Sequence, residues 1–442
     1  MLHNNRDWAR IAQRAQTSTD PEFPGIDVIG HLHAASPRGP PPPSALNYAR
    51  QGLLRRRRTC CGGACSCRGA WTTGPTESCC SHATVLAPRI VRTDAENPFR
   101  IDGIQYLRAV AALMVVAHHA RHYFPQGDQW STFGSRGVDI FFVISGFVMA
   151  HSTQGYRADA NRRFQSERFL AKRFIRVVPL YWLALLWTSK RHLVAGQWGW
   201  DTLQDLLFVP HFHRIYQDAV FPFLVSGWTV NYEMFFYALF ALSMLFGRYR
   251  YALVATTLIA LASLDALPWR SAIGIFYTSN VILEFLFGIV VYAVVVRWPA
   301  PMRKRWLVLV SVVAVGLLAI ENRDAVRGYA DGPFAALLVW STVLWSQGLR
   351  AAPLRRLGDA SYSIYLFHLA SFWLPSTLLH RFGVQSASPL VVIGVLLAHV
   401  LVAAIVGLAI HRVIEQPLLD FLRRRVDVES KDGRPILATR SR

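Results

Sequence analysis

Arg108 and His119 stand eleven residues apart within one otherwise apolar stretch, 104–120. That stretch is long and apolar enough for a membrane helix. A guanidinium and an imidazole there are costly unless they face a polar cavity, so both are candidates for function. At ~100° per residue, eleven steps return to within roughly 20° of the starting face and climb about 16 Å. Arg108 then lies near one membrane surface and His119 deeper on the same line, while His118 points roughly 80° away. The arrangement suits a long anionic donor gripped at its charged end, with chemistry at its tip.

Arg173 and Arg176 share a helix face three residues apart, and Pro179 bends or interrupts that helix. Snorkelling to the surface accounts for Arg168 and Lys172. Arg176 lies deeper, and a cluster with Arg173 and Arg108 would bind phosphates. Asp139 falls at the outer end of the next apolar segment, either as a helix cap or as a site carboxylate. Ser145 and Gly146 offer small surfaces to a neighbouring helix or a thin ligand.

Glu233 sits about one and a half turns into the run that begins at Gly227, and His119 or an arginine is its natural partner. A histidine–carboxylate pair would fix the imidazole tautomer for general-base chemistry on a hydroxyl. A purely structural ion pair is the competing reading. Asn231 and Tyr232 are candidate contacts to substrate or a developing oxyanion. His368 lies mid-segment, with Ser361, Tyr362 and Tyr365 adding hydroxyls, and is equally readable as structural. His399 and His411 read as packing or interfacial. His118 and His122 have a metal-like spacing but no evident third ligand, so no metal is expected.

These side chains require membrane helices to position them. The chain has 442 residues, 52% hydrophobic and 17% charged, too few charges for a soluble protein of this length. We expect an all-α, polytopic membrane helix bundle of about ten spans, starting near Ile104, Val138, Phe174, Trp228, Tyr251, Ile273, Trp306, Gly332, Ala360 and Pro389. The net charge of +20 concentrates in alternate loops, around 157–173, 248–250, 297–305 and 350–356, and in the tail at 423–425. That is the positive-inside asymmetry. Topology explains the charge, so nucleic acid is not an expected partner, and both termini are expected in the cytoplasm.

Residues 1–98 form a different composition class, with Arg55–Arg58, Pro40–Pro43 and no usable periodicity. We expect a disordered leader. No secretory signal follows the first Met. The six cysteines between Cys60 and Cys80 lack paired C-x-x-C knuckles, so they read as unstructured thiols rather than a zinc site. Translation is expected to start nearer residue 90; recovering peptides from residues 1–80 of the native protein by mass spectrometry would refute this. Residues 99–422 make the transmembrane domain and 423–442 a basic tail.

From about Ile101 to Leu422 the chain resembles acyltransferase family 3, integral membrane O-acyltransferases that modify bacterial surface and secreted carbohydrates. The marks are Ile104–Ala109 with His119 downstream, Gly137–Gly146, the Lys172/Arg173/Arg176/Pro179 pattern, Trp228–Tyr237, Ser361–His368 and Ile414–Pro417. The wording around Ile104 and Trp228 is most similar to the exopolysaccharide-acetylating subgroup. The cysteine-bearing leader departs from the family pattern, and no extra hydrolase-like domain is seen after the last span. The resemblance implies catalysis by His119 and a membrane-face arginine pair at Arg173 and Arg176. It also implies an acyl-CoA donor, with acetyl-CoA the expected one, and no permanently bound cofactor. The acceptor would be a polysaccharide or lipid-linked sugar, reached at the bacterial inner membrane among its lipids. His119, oriented by Glu233 or Asp139, would take the proton of the sugar hydroxyl; a transient acyl-histidine is the other route. A proton-coupled transporter or lipid-linked sugar flippase would also place His, Glu and Arg in the membrane, but no inverted repeat or paired broken helices are seen. A structural subunit of an export complex is a further alternative.

Overall fold

The computed structural model describes residues 101–124, 131–156, 161–194, 199–213, 219–298, 302–320, 326–375, 377 and 389–431. The leader with its cysteines, the loop residues Arg157 and Arg381, and the chain beyond 431 lie outside these. The described chain is all-α; its one extended pairing is a bridge between Phe212 and Val220.

The helices that position the site follow in order. α1 is Asp102–Ala120, α2 Gly137–Ser152 and α3 Arg162–Val194, with Pro179 inside it. α4 is Gly227–Met244, α5 Arg250–Ser263, α6 Leu283–Arg297 and α7 Lys304–Leu318. α8 is Arg327–Trp345, α9 Ala352–Asp359, α10 Ser361–Ser371 and α11 Pro389–Ile410. A π-helical turn, His411–Glu415, joins α11 to α12, Gln416–Lys431.

Among the described residues three helices are both long and apolar enough to cross a membrane: Phe133–Ser152, Asn280–Arg297 and Leu390–Arg424. The other expected spans are shorter or more polar. α5 has 14 residues and covers about 21 Å, less than a hydrocarbon core of ~30 Å. The span expected from Ile273 is broken: a short helix, Ala272–Tyr277, ends at Thr278 and the chain restarts at Asn280. Asn280 explains the restart. Its Nδ2 donates to Asp265 at 2.6 Å and its Oδ1 accepts from Gly328 N at 2.7 Å, tying three segments at one corner. The span expected to start near Ala360 does begin there, as α10 at Ser361 directly after α9, but that helix has only 11 residues.

α1 and α2 lie at the centre. One apolar cluster joins α2 to α3, α4, α5 and α6, a second joins α1 and α2 to α6, α7 and α8, and a third packs α1 against α10 and α11. In lipid, helices associate through close packing rather than water exclusion, which rewards small residues. At Gly146 a Cβ would stand 2.0 Å from the carbonyl oxygen of Phe285, and at Gly288 another would stand 2.0 Å from that of Val143. α2 and α6 therefore touch backbone to backbone, which realises the small surface expected at Gly146.

Candidate active site

Arg108, Arg173 and Arg176 converge on one cavity of about 110 Å³. It is a slot between α2, α3, α4 and α10, with Arg108 entering from α1. α2 and α4 run parallel in constant register: Ser145 bonds Glu233 at 3.3 Å and the Tyr156 hydroxyl bonds the Met244 carbonyl, each pair 88 residues apart. α3 runs against them, with Ser166 on Ala241 and Tyr181 beside Gly227. The slot follows α2 from Met149 to Val138, about 16 Å of helix. Its two ends differ in chemistry.

The mouth is basic, and Arg176 there is 24% exposed. Arg108 Nε donates to Ser361 Oγ at 3.1 Å, and Arg173 Nη2 to Ser152 Oγ at 2.8 Å. Both bond neutral hydroxyls and keep their charge for the slot. Arg176 Nη1 is held at 2.7 Å by Glu415, which is buried and also accepts from Ser363 at 2.6 Å and His411 at 2.8 Å. The π turn, which adds one residue to the ring, carries Glu415 into this network. The far end is closed by Val138, Phe142, Val230 and Tyr365, all buried. The Tyr365 hydroxyl is pinned there by Thr229 Oγ1 at 2.7 Å and the Ser226 carbonyl at 3.0 Å.

His119 lies one step past that closed end, half-buried on α1. α10 runs parallel to α1, with Ser361 on Arg108 and His368 on His119. His368 Nε2 is 3.2 Å from His119 Nδ1, and its Nδ1 is 2.7 Å from the Tyr365 carbonyl. A carbonyl only accepts, so His368 carries its proton on Nδ1 and presents a lone pair at Nε2. His119 Nδ1 faces that lone pair and the Val115 carbonyl at 3.0 Å. It therefore bears the proton, which leaves the basic lone pair of His119 on Nε2.

The expected carboxylate partners stand elsewhere. Glu233 bonds Ser145 and Tyr237 inside the slot, near Arg108 and Arg173. Asp139 is fully buried and takes two bonds of 2.7 Å from Arg327, so it is neither a cap nor a partner of His119. Glu284 packs beside that pair, and Arg136 meets Asp331 at 2.9 Å in the same cluster. Three carboxylates and two guanidiniums there join α2, α6 and α8. Helix registry explains both corrections: Glu233 is two turns nearer the mouth than the level of His119, and α8 occupies the face of α2 that carries Asp139.

Of the remaining candidates, Ser145 and Tyr362 line the slot, and Tyr362 donates to the Val177 carbonyl at 2.8 Å beside Pro179. Tyr232 bonds the Phe276 carbonyl at 2.7 Å and stacks on that ring, away from the slot. Asn231 is buried outside it, its side-chain oxygen with no hydrogen-bond partner among the described residues. Sequence reasoning missed Tyr237, Thr229, Glu415 and Arg327 as site or supporting residues. Tyr237 was signalled by its spacing of four from Glu233, whereas Arg327 had no signal.

The connection between α3 and α4 holds a small polar knot outside the spans. Asp205 accepts from Phe223 N at 3.1 Å and lies 3.6 Å from His211, while His213 stacks on Phe221. Burial pushes the Asp205 carboxyl up to about 6, although His211 works against it. Burial likewise lowers His213 to about 4.

Residues 101–408 match the acyltransferase domain model of family 3. The chain is 32% identical to the exopolysaccharide production protein ExoZ of Rhizobium meliloti (strain 1021), over 65% of this chain and 90% of that one. It is 25% identical to acyltransferase MdmB of Streptomyces mycarofaciens, over 77% and 95%. It is 23% identical to O-acetyltransferase OatA of Staphylococcus aureus, over 73% and 58%. No solved structure matches. The matched residues carry the slot's helices and both imidazoles, and the chain belongs to acyltransferase family 3, membrane enzymes that transfer acyl groups other than aminoacyl groups.

Proposed function

We propose that this enzyme moves an acyl group, acetyl in the first instance, from acyl-CoA to a hydroxyl of a bacterial polysaccharide or lipid-linked sugar. The observation that carries the reading is the slot itself: guanidiniums rim its mouth, and an imidazole pair stands beyond its closed end on the same wall. Phosphates of the donor bind Arg108 and Arg173 as charge-assisted pairs. Arg176, braced by Glu415, adds to the same field. The pantetheine arm fills the slot toward Tyr365. The names of ExoZ, a protein of exopolysaccharide production, and OatA, an O-acetyltransferase, support a carbohydrate acceptor and an O-ester product. The reading includes a multi-span bundle in the inner membrane with both termini cytoplasmic, which brings the basic mouth to the compartment that supplies acyl-CoA.

The reaction requires the slot to open past Tyr365 to His119; there His119 Nε2 accepts the proton of the acceptor hydroxyl as its oxygen attacks the thioester carbonyl. The tetrahedral intermediate expels the CoA thiolate, and the imidazolium returns the proton to sulfur. The products are the O-acyl sugar and CoA. His368 holds the ring and shares the charge that develops on it. Transfer through an acyl-imidazole would use the same nitrogen. The test is purified protein with radiolabelled acetyl-CoA and cell-derived glycan. Ester label on the glycan, absent with His119→Ala, is the expected result; an unlabelled glycan refutes the reading.

A further inference from the structure

The closed end of the slot has a chemistry of its own. Val138, Phe142 and Val230 surround it, with exposures of 6%, 3% and 1%. Among the described residues that line the slot no charged side chain stands at that end, and its arginines are all at the mouth. Phe142 cannot yield, because rings meet it on three sides: Trp228 at 6.1 Å, Tyr232 at 5.8 Å and Phe285 at 4.7 Å. Val138 is fixed by the helix start that Gly137 presses against α1, where a Cβ would come 2.4 Å from the Ala111 carbonyl. A volume of about 110 Å³ is room for roughly seven to eleven water molecules at 10–15 Å³ each. That is the room of the whole slot, mouth included, so with the pantetheine arm in place the apolar end takes a short acyl group and little chain beyond it.

Resting on the acyl-CoA reading above, we propose that Val138 and Phe142 form a ruler that limits the donor to short acyl chains. A thioester lying alongside Tyr365 would point its acyl group into this apolar end. Each further methylene must then overlap a ring or an isopropyl group that has no room to retreat. In a packed apolar site one methylene alters selectivity by about 10–200-fold, which is ample for a sharp cut-off.

The experiment measures affinities of CoA and of acetyl-, butyryl- and hexanoyl-CoA for the purified full chain in nanodiscs, so no acceptor is needed. The wild type should bind acetyl-CoA at least tenfold more tightly than hexanoyl-CoA. Phe142→Ala should narrow or invert that ratio, and Val138→Ala should move it the same way by a smaller factor. Val138→Phe should depress butyryl-CoA more than CoA itself. Should Phe142→Ala fail to fold, Phe142→Leu serves in its place. Variants that bind CoA normally and keep the wild-type chain-length ratio overturn the ruler while sparing the donor site. If CoA and all three thioesters fail to bind the wild type, the donor reading falls and takes the ruler with it.

Discussion

His368 Nε2 and His119 Nδ1 lie 3.2 Å apart, joining α10 to α1 through two imidazoles rather than an imidazole and a carboxylate. The Tyr365 carbonyl at the far side of His368 sets the direction of the whole chain of bonds. A neutral partner orients a base without adding a second buried charge, whose desolvation in this setting would be severe.

His119→Ala is expected to abolish transfer while the protein still inserts and accumulates. His368→Ala should lower kcat by about 10²-fold, the lower end of what the base it orients contributes, with little change in KM for acyl-CoA. His368→Gln, which retains an acceptor, should recover part of that loss. His118→Ala should be far milder than His119→Ala, because its ring meets His119 only edge-on at 5.2 Å. Equal losses at His118 and His119 in a glycan-labelling assay would break the facial argument.

The three arginines should separate in their effects. Arg173→Ala removes a cation bonded to a neutral hydroxyl, so KM for acyl-CoA should rise about tenfold or more with near-normal accumulation. Arg176→Ala takes from buried Glu415 one of three partners, leaving Ser363 and His411, and should cost about 1–3 kcal/mol of stability. Michaelis curves and thermal unfolding in detergent read the two outcomes separately.

Asp139 and Arg327 should act as structure. Arg327→Met strips buried Asp139 of both 2.7 Å bonds and should cost about 3–5 kcal/mol, whereas Asp139→Ala leaves Arg327 beside Glu284 and Asp331 and should cost less. The double variant should recover much of that loss. An additive double variant, measured by thermal unfolding, would show that the two side chains do not depend on each other.

The knot between α3 and α4 should show opposed pH dependences. His213 is lowered from 6.5 to about 4, so the unfolded segment binds the extra proton in that window and stability rises with pH. Asp205 is raised from 3.8 to about 6, so the folded segment holds the extra proton and stability falls as pH rises. The two nearly cancel in the wild type. Asp205→Asn should therefore make protection of residues 199–213 increase from pH 4 to 6.5, and His213→Gln should make it decrease from pH 4 to 6. Hydrogen exchange across that range checks both signs; two flat profiles would contradict them.

Apolar composition and 3.6-residue periodicity determined, without any coordinates, the all-α membrane class, the shared face of Arg108 and His119, and the shared face of Arg173 and Arg176. Those properties are local, because transfer energy and helical geometry act within one segment. They did not say which helix would cover a given face. His119 and Glu233 both called for partners, and periodicity offered them to each other. Tertiary packing instead gave His119 a partner 249 residues away and Asp139 one 188 residues away. It also decided where helices break, as at Asn280, and how Glu415 reaches Arg176 through a π turn. Buried polar groups take whichever partner the packed neighbour presents, and only close contacts such as Gly146 against Phe285 select that neighbour.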